Sequence, residues 1–140
     1  MQMIETLRNG LGEALRAFAT PRYTVADRAP STLAEVAAHY SATHSICVWS
    51  GESESSIWGA QGNYRFRAWH DALHLSTGIG FEPIPEIEIG RYQARIAGRY
   101  GDAFARLVEI ETAGQAAEYL RTGGYVVDQI AFAIASGAGR

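Results

Sequence analysis

The chain contains no lysine: all twelve basic residues among its 140 are arginine. Arginine's planar fork suits bidentate contacts to carboxylate or phosphate, but the same bias, with abundant alanine and glycine, is what a GC-rich coding sequence produces. Cysteine is nearly absent. Cys47 stands alone, which excludes an internal disulfide and fits a reducing cytoplasm. Its apolar neighbours Ile46, Val48 and Trp49 mark a buried, inert thiol. Charge is sparse, at 19% of residues, and a net charge of −3 leaves no basic surface for broad nucleic-acid or anionic-membrane binding. It is also too small to imitate a phosphate backbone. No apolar run approaches the ~20 residues of a membrane span, and Met1-Gln2-Met3-Ile4-Glu5 lacks the apolar core of a signal peptide. The glycines of 59–62 match no phosphate-binding loop, and Ser53, Ser55 and Ser56 lack a nucleophile-elbow context.

What the chain does have is helical periodicity on a hydrophobic content of 47%. Ile4, Leu7, Leu11, Leu15 and Phe18 predict an amphipathic helix over residues 3–18, ended by Pro21. Ser31 reads as the N-cap of a second helix from Thr32 to about Thr43, with Leu33, Val36 and Tyr40 inward. Ser45–Ser50 is β-branched and aromatic, a strand only if Tyr23–Val25 pairs with it. Residues 51–63 read as a loop; Trp49, Trp58 and Trp69 read as core residues, Trp58 being the one whose polar loop would also suit a site entrance. A third helix is expected over about 64–76, burying Phe66, Trp69 and Leu73, and Phe81–Pro85 as an extended connector. A fourth helix covers about 86–99. A fifth covers about 102–121, capped by Asp102, stopped by Gly123-Gly124 and packed against the third. Tyr125–Ala135 reads as a buried last helix and Ser136–Arg140 as a frayed tail. The expectation is a mainly α, compact single-domain bundle of five to six helices, with at most a short strand pair, spanning residues 1–140.

The most informative stretch is Phe66-Arg67-Ala68-Trp69-His70-Asp71-Ala72-Leu73-His74. Positions i and i+4 of a helix share a face, so His70 and His74 can aim two imidazoles at one centre, which is half of a metal site. The second position of an HExxH motif would be glutamate, which activates a metal-bound water. Asp71 stands there instead, one methylene shorter, and serves as general base or as an orienter of a ligand. Glu111 and Gln115 share a face of the fifth helix, and Glu88, Tyr92 and Arg95 form a polar stripe on the fourth. Gly114, within Glu111-Thr112-Ala113-Gly114-Gln115, costs about 1 kcal/mol relative to alanine in mid-helix. Close backbone approach, here to the His70 helix, is a reason to keep such a glycine. His39 and His44 read as structural.

The runs Ser56-Ile57-Trp58-Gly59 and Asn63-Tyr64-Arg65-Phe66-Arg67-Ala68-Trp69-His70-Asp71, followed by Glu111-Thr112-Ala113-Gly114-Gln115, resemble segments of an uncharacterised family of phage and mobile-element proteins. These include modules inside large polyvalent phage proteins. The family shows a phenylalanine-arginine-alanine-x-histidine-aspartate core, another histidine, and a glutamate-threonine-x-glycine-glutamine segment. The resemblance covers roughly residues 56–115 and maps onto His70, Asp71, Glu111 and Gln115. His74 aligns with the second histidine only across a one-residue gap. A further family histidine has no counterpart here, where Gln93 and Ala94 stand.

Two functions are therefore expected, and the sequence leaves open whether the chain is an enzyme. One is a phage or mobile-element accessory protein with a metal-dependent hydrolase-like site. His70, His74 and Glu111 would ligate zinc or another divalent metal, Asp71 and Gln115 would be catalytic, and His70 and Glu111 would come within about 4 Å of each other. The other is a non-catalytic inhibitor, for example of a host defence system. In it His70, Asp71, Glu111 and Gln115 would form a buried hydrogen-bonded network joined by Arg67, through Glu111 or Asp71, and by Glu88. Partners would be a small molecule or a host or phage protein in the host cytoplasm, with no membrane and no nucleic acid.

Overall fold

The computed structural model describes residues 21–53 and 57–137. The predicted helix over 3–18 and the end of the predicted frayed tail lie outside them. Strand β1 (Tyr23–Ala26) is followed by helix α1 (Leu33–Thr43), strand β2 (Ile46–Trp49) and helix α2 (Gly59–Thr77). Helix α3 (Pro83–Ala97) leads through a 3-10 turn to α4 (Asp102–Glu109), a π-helical turn (Ile110–Gly114) and α5 (Gln115–Thr122), and α6 (Gln129–Ala135) closes the order. The described chain is mainly helical and compact, with one short pair of strands. No helix among the described residues is long and apolar enough to cross a membrane.

The strand pair forms as Tyr23 and its neighbours supply the missing partner. The two strands run parallel, Tyr23 opposite Ile46 and Ala26 opposite Trp49, and α1 provides the crossover that parallel pairing needs. Thr32, not Ser31, caps α1: its Oγ1 accepts from Glu35 N at 3.2 Å while Glu35 Oε2 accepts from Ser31 N at 2.9 Å. Val36 points inward as expected, but Tyr40 is exposed. Ile46, Val48, Val36 and Ala68 form one apolar cluster tying strands, α1 and α2 together.

The larger core joins Trp58, Phe66 and Trp69 to Ala94, Ala97, Phe104, Leu107, Val108 and Ala133. It explains why α2 starts at Gly59 rather than near 64. Trp58 serves the core, as expected, and lines no entrance: it is buried, stacked on Phe66 at 4.8 Å and edge-on to Phe104 at 6.1 Å, whereas Trp49 is exposed. Helix α3 likewise starts early. Proline fits the first turn of a helix, where its missing N–H has no intrahelical acceptor, so Pro83 and Pro85 open the helix rather than extend a connector. Asp102 does not cap; Gly101 occupies that position with no side-chain bond. Gly123, at φ 75°, ends α5 as predicted. The last helix starts only at Gln129, capped by Asp128 Oδ1 accepting from Ala131 N at 2.9 Å. Tyr125 and Val127, predicted to pack inside it, are 81% and 88% exposed.

The central helix is α3, which lies along α4, the π turn and α5. A side-chain methyl at Gly90 would sit 2.5 Å from Ala113 N and 2.7 Å from Thr112 Cβ. Gly90 is therefore where two backbones meet. Gly114, expected to serve close approach to the His70 helix, has only ordinary contacts around it. The crossing at Gly90 fixes what comes together next: Glu86 lies one turn before it on α3, Glu111 lies within the apposed π turn and Gln115 directly follows it.

Candidate metal centre and cavity

His70 and His74 lie one turn apart on α2 and face α3. Each ring is oriented by its Nδ1. His74 Nδ1 is 2.7 Å from the carbonyl oxygen of Ile79, and His70 Nδ1 is 2.7 Å from Gln93 Oε1. A carbonyl oxygen only accepts, so each Nδ1 carries the proton and donates. Both Nε2 atoms are thereby turned to one point, 3.1 Å apart. Glu86 enters there from α3: its Oε2 is 3.0 Å from His70 Nε2 and its Oε1 is 2.7 Å from His74 Nε2. His74 is fully buried, with Phe81 stacked on its ring at 4.1 Å. Candidate ligand atoms of His70, His74 and Glu86 all lie within 4.8 Å of one another, so this group can hold a metal ion.

The electrostatics follow from burial and this contact. Burial disfavours a charged His70, but the Glu86 carboxylate and its hydrogen bond, with help from Asp71 and Gln93, prevail and raise its pKa to about 9. Burial pushes Glu86 the other way from its neighbours: the charge and hydrogen bond of His70, with smaller contributions from His74, prevail and lower it to about 2. Asp71 is raised to about 6, mainly by burial, against the pull of His70 and His74.

The carboxylate in the cluster is Glu86, where the sequence pointed to Glu111. Glu111 Oε2 accepts from Gln115 Nε2 at 3.1 Å, while its Oε1 is buried with no hydrogen-bond partner. Burial, only partly offset by Gln115, raises the Glu111 pKa to about 8. Glu111 and Gln115 share a cavity of about 480 Å³ with His70 and Glu86, walled by Phe66, Phe81, Tyr119 and Tyr125. His70 and Glu86 also border a second cavity, together with Asp71, Arg28 and Cys47. The cluster thus stands between two openings, Asp71 on one side and Glu111 on the other.

Arg67 pairs with neither Glu111 nor Asp71. Its Nη1 donates to the carbonyls of Trp49 and Gly51, the latter at 2.7 Å, and to Ser53 Oγ at 3.1 Å, while its guanidinium lies over the Trp49 ring. Three main-chain and hydroxyl acceptors in one loop outcompete a carboxylate elsewhere, so Arg67 shapes the cavity wall instead of joining the cluster. Burial, opposed by Asp71 and Glu52, lowers its pKa. Glu88 is exposed and points away from the network expected of it; Glu86, two residues earlier, takes that place. Of His39 and His44, neither belongs to the cluster, and His44 closes α1 in the left-handed conformation.

Sequence reasoning passed over Glu86, Gln93 and Phe81. The first two are spaced i,i+7 on one face of the helix already expected over 86–99, where Glu88, Tyr92 and Arg95 were singled out instead. No family model, curated protein or solved structure matches the chain.

Proposed function

We propose that His70, His74 and Glu86 bind a divalent metal, zinc by the nature of the donors, in a hydrolase-like site. The observation that carries this is the His74–Glu86 contact. His74 Nδ1 donates to Ile79, so its Nε2 is the nitrogen turned to the centre, 2.7 Å from Glu86 Oε1, an oxygen that lacks a partner in hydrogen-bond geometry. A single proton on His70 Nε2 serves only the Glu86 Oε2 edge of the triangle. A divalent cation in the middle serves both histidines and the carboxylate. Tetrahedral zinc with bonds of ~2.0–2.1 Å holds its donors ~3.3 Å apart, so the group needs to spread by only a few tenths of an ångström. Two histidines and one glutamate, with a fourth position open, form a donor set of catalytic zinc, and the carbonyl partners on both Nδ1 atoms supply the orientation such ligands need.

In this reading zinc, held by His70, His74 and Glu86, would supply a nucleophilic water and polarise the substrate. Asp71, beside His70, would be the general base. Glu111 and Gln115 hold the substrate from the facing cavity. The resemblance to phage and mobile-element proteins gives the context we propose, an accessory protein acting in the host cytoplasm. A second reading has an observation of its own: the His70–Glu86 ion pair leaves one edge of the triangle satisfied without metal. A non-catalytic inhibitor with a buried His–Glu–Gln network fits that pair. Thermal melting with and without chelator separates the two. Under the metal reading, chelator lowers the melting temperature of wild type and leaves His74→Ala unmoved, because metal binding contributes to folding. Under the network reading, chelator changes neither.

A further inference from the structure

Glu111 is a buried carboxyl that the metal cluster does not use. No cation pairs with it among the described residues, and the group acting on it besides burial is Gln115. The π turn places it on the wall of the 480 Å³ cavity, within the size range of small-molecule sites. Gln115 donates to Oε2, which leaves Oε1 buried and unpartnered in a residue that lines the cavity. A protonated Oε1 is an O–H donor, and the Gln115 carbonyl is an acceptor. A donor from Glu111 and an acceptor from Gln115, two hydrogen-bonded residues lining one cavity, match the C=O and N–H of an amide. The neighbouring walls, Phe66, Phe81, Tyr119 and Tyr125, offer flat apolar faces on which a planar group stacks.

We infer that Glu111 and Gln115 form a recognition site for a neutral carboxamide, Glu111 donating to its carbonyl oxygen and Gln115 accepting from its N–H. This deepens the hydrolase reading by naming its substrate class as an amide. Recognition itself needs no metal. The raised pKa of Glu111, about 8, agrees with a carboxyl that is protonated at neutral pH. The other titratable side chains lining the cavity are Glu52, Arg67, His70, Glu86, Tyr119 and Tyr125. A carboxylate ligand is excluded by its second acceptor, which would face the carbonyl of Gln115.

The test is binding of benzamide and benzoate, followed by NMR chemical-shift changes at Gln115, in chelator throughout. Chelator removes the metal question, so failure here and failure of the metal site are separately visible. Benzamide is expected to bind wild type at pH 6.5 at least tenfold more tightly than benzoate. Affinity for benzamide should fall about tenfold by pH 9, where about one Glu111 in ten keeps its proton. Glu111→Gln, which still offers an N–H donor, should retain benzamide and lose that pH dependence, so any residual slope belongs to the other groups. Glu111→Leu should lose benzamide while staying folded, since an apolar side chain of similar size suits a buried wall. Equal benzamide binding by wild type and Glu111→Leu, preference for benzoate, or no shift at Gln115 overturns the inference.

Discussion

Replacing Gly90 with alanine tests the packing that assembles the site. Helix propensity alone favours the change by about 1 kcal/mol, because Gly90 is interior to α3. Packing opposes it. The new methyl would lie 2.5 Å from Ala113 N and 2.7 Å from Thr112 Cβ, where van der Waals contact needs more than 3.4 Å. The obstacles are backbone and a side chain pinned by Thr112 Oγ1 donating to Val108 O at 2.7 Å. Neither can swing aside, so α3 and the π turn must separate by roughly 1 Å. Overpacking of this kind costs about 1–3 kcal/mol, and loosening two core helices lies at the upper end. After subtracting the propensity gain, a net loss of about 1–2 kcal/mol is expected. Urea denaturation of wild type and variant measures it as a lowered midpoint at unchanged slope. Gly98→Ala is the control. Its φ is −57° and nothing lies within 4 Å of a methyl there, so it should be neutral or stabilise by about 0.4–1 kcal/mol. A Gly90→Ala protein as stable as Gly98→Ala would refute the close approach and with it the placement of Glu111 and Gln115 opposite Glu86.

Without metal, stability should depend on pH with a sign set by four groups. Asp71, raised to about 6, binds its proton more tightly when folded, so its contribution is full below pH 3.8 and is lost as pH rises through about 6. Glu86, depressed to about 2, contributes stability that is present above pH 4.5 and is lost as pH falls through about 2. His70, raised to about 9, contributes stability that is full below pH 6.5 and is lost as pH rises through about 9, so chelated protein should melt progressively lower across that interval. Glu111, raised to about 8, binds its proton more tightly when folded, so stability declines from pH 4.5 to about 8. Glu111→Gln should match wild type near pH 4.5 and exceed it at pH 8 by an amount on the order of a few kcal/mol, read from urea titrations at both pH values. An unchanged difference between the two pH values would contradict the buried, neutral carboxyl. Glu86→Ala should destabilise metal-free protein by about 3–5 kcal/mol at pH 6, since protonated His70 loses its buried partner, and a change under 1 kcal/mol would count against the pair.

The paired histidines were legible because helical spacing is a local property, and His70 with His74 needs no tertiary information. The same holds for the Gly123 stop and for the inward face of Phe66 and Trp69. The third ligand was not local. Glu86 stands inside the helix expected over 86–99, and no local signal sets it apart from Glu88 two residues on; only the packing of that helix against the histidines does. Choosing Glu111 instead rested on the assumption that Gly114 marks a close approach. Tertiary packing assigned that role to Gly90, and nothing in either glycine's neighbours distinguishes them. Tyr125 and Val127 show the converse failure. Their apolar character predicted burial, yet both stand at the surface, Tyr125 beside the cavity, because Asp128 starts the helix after them.

Zinc titration with determination of bound metal tests the central claim most directly. It uses protein purified without a metal-binding tag, for wild type, Glu86→Ala and Glu111→Gln at pH 7. The account predicts one equivalent bound by wild type and by Glu111→Gln. It predicts loss of at least about tenfold in affinity for Glu86→Ala, since a ligand itself is removed. Wild type that takes up no zinc, or zinc lost with Glu111 and kept without Glu86, would contradict it.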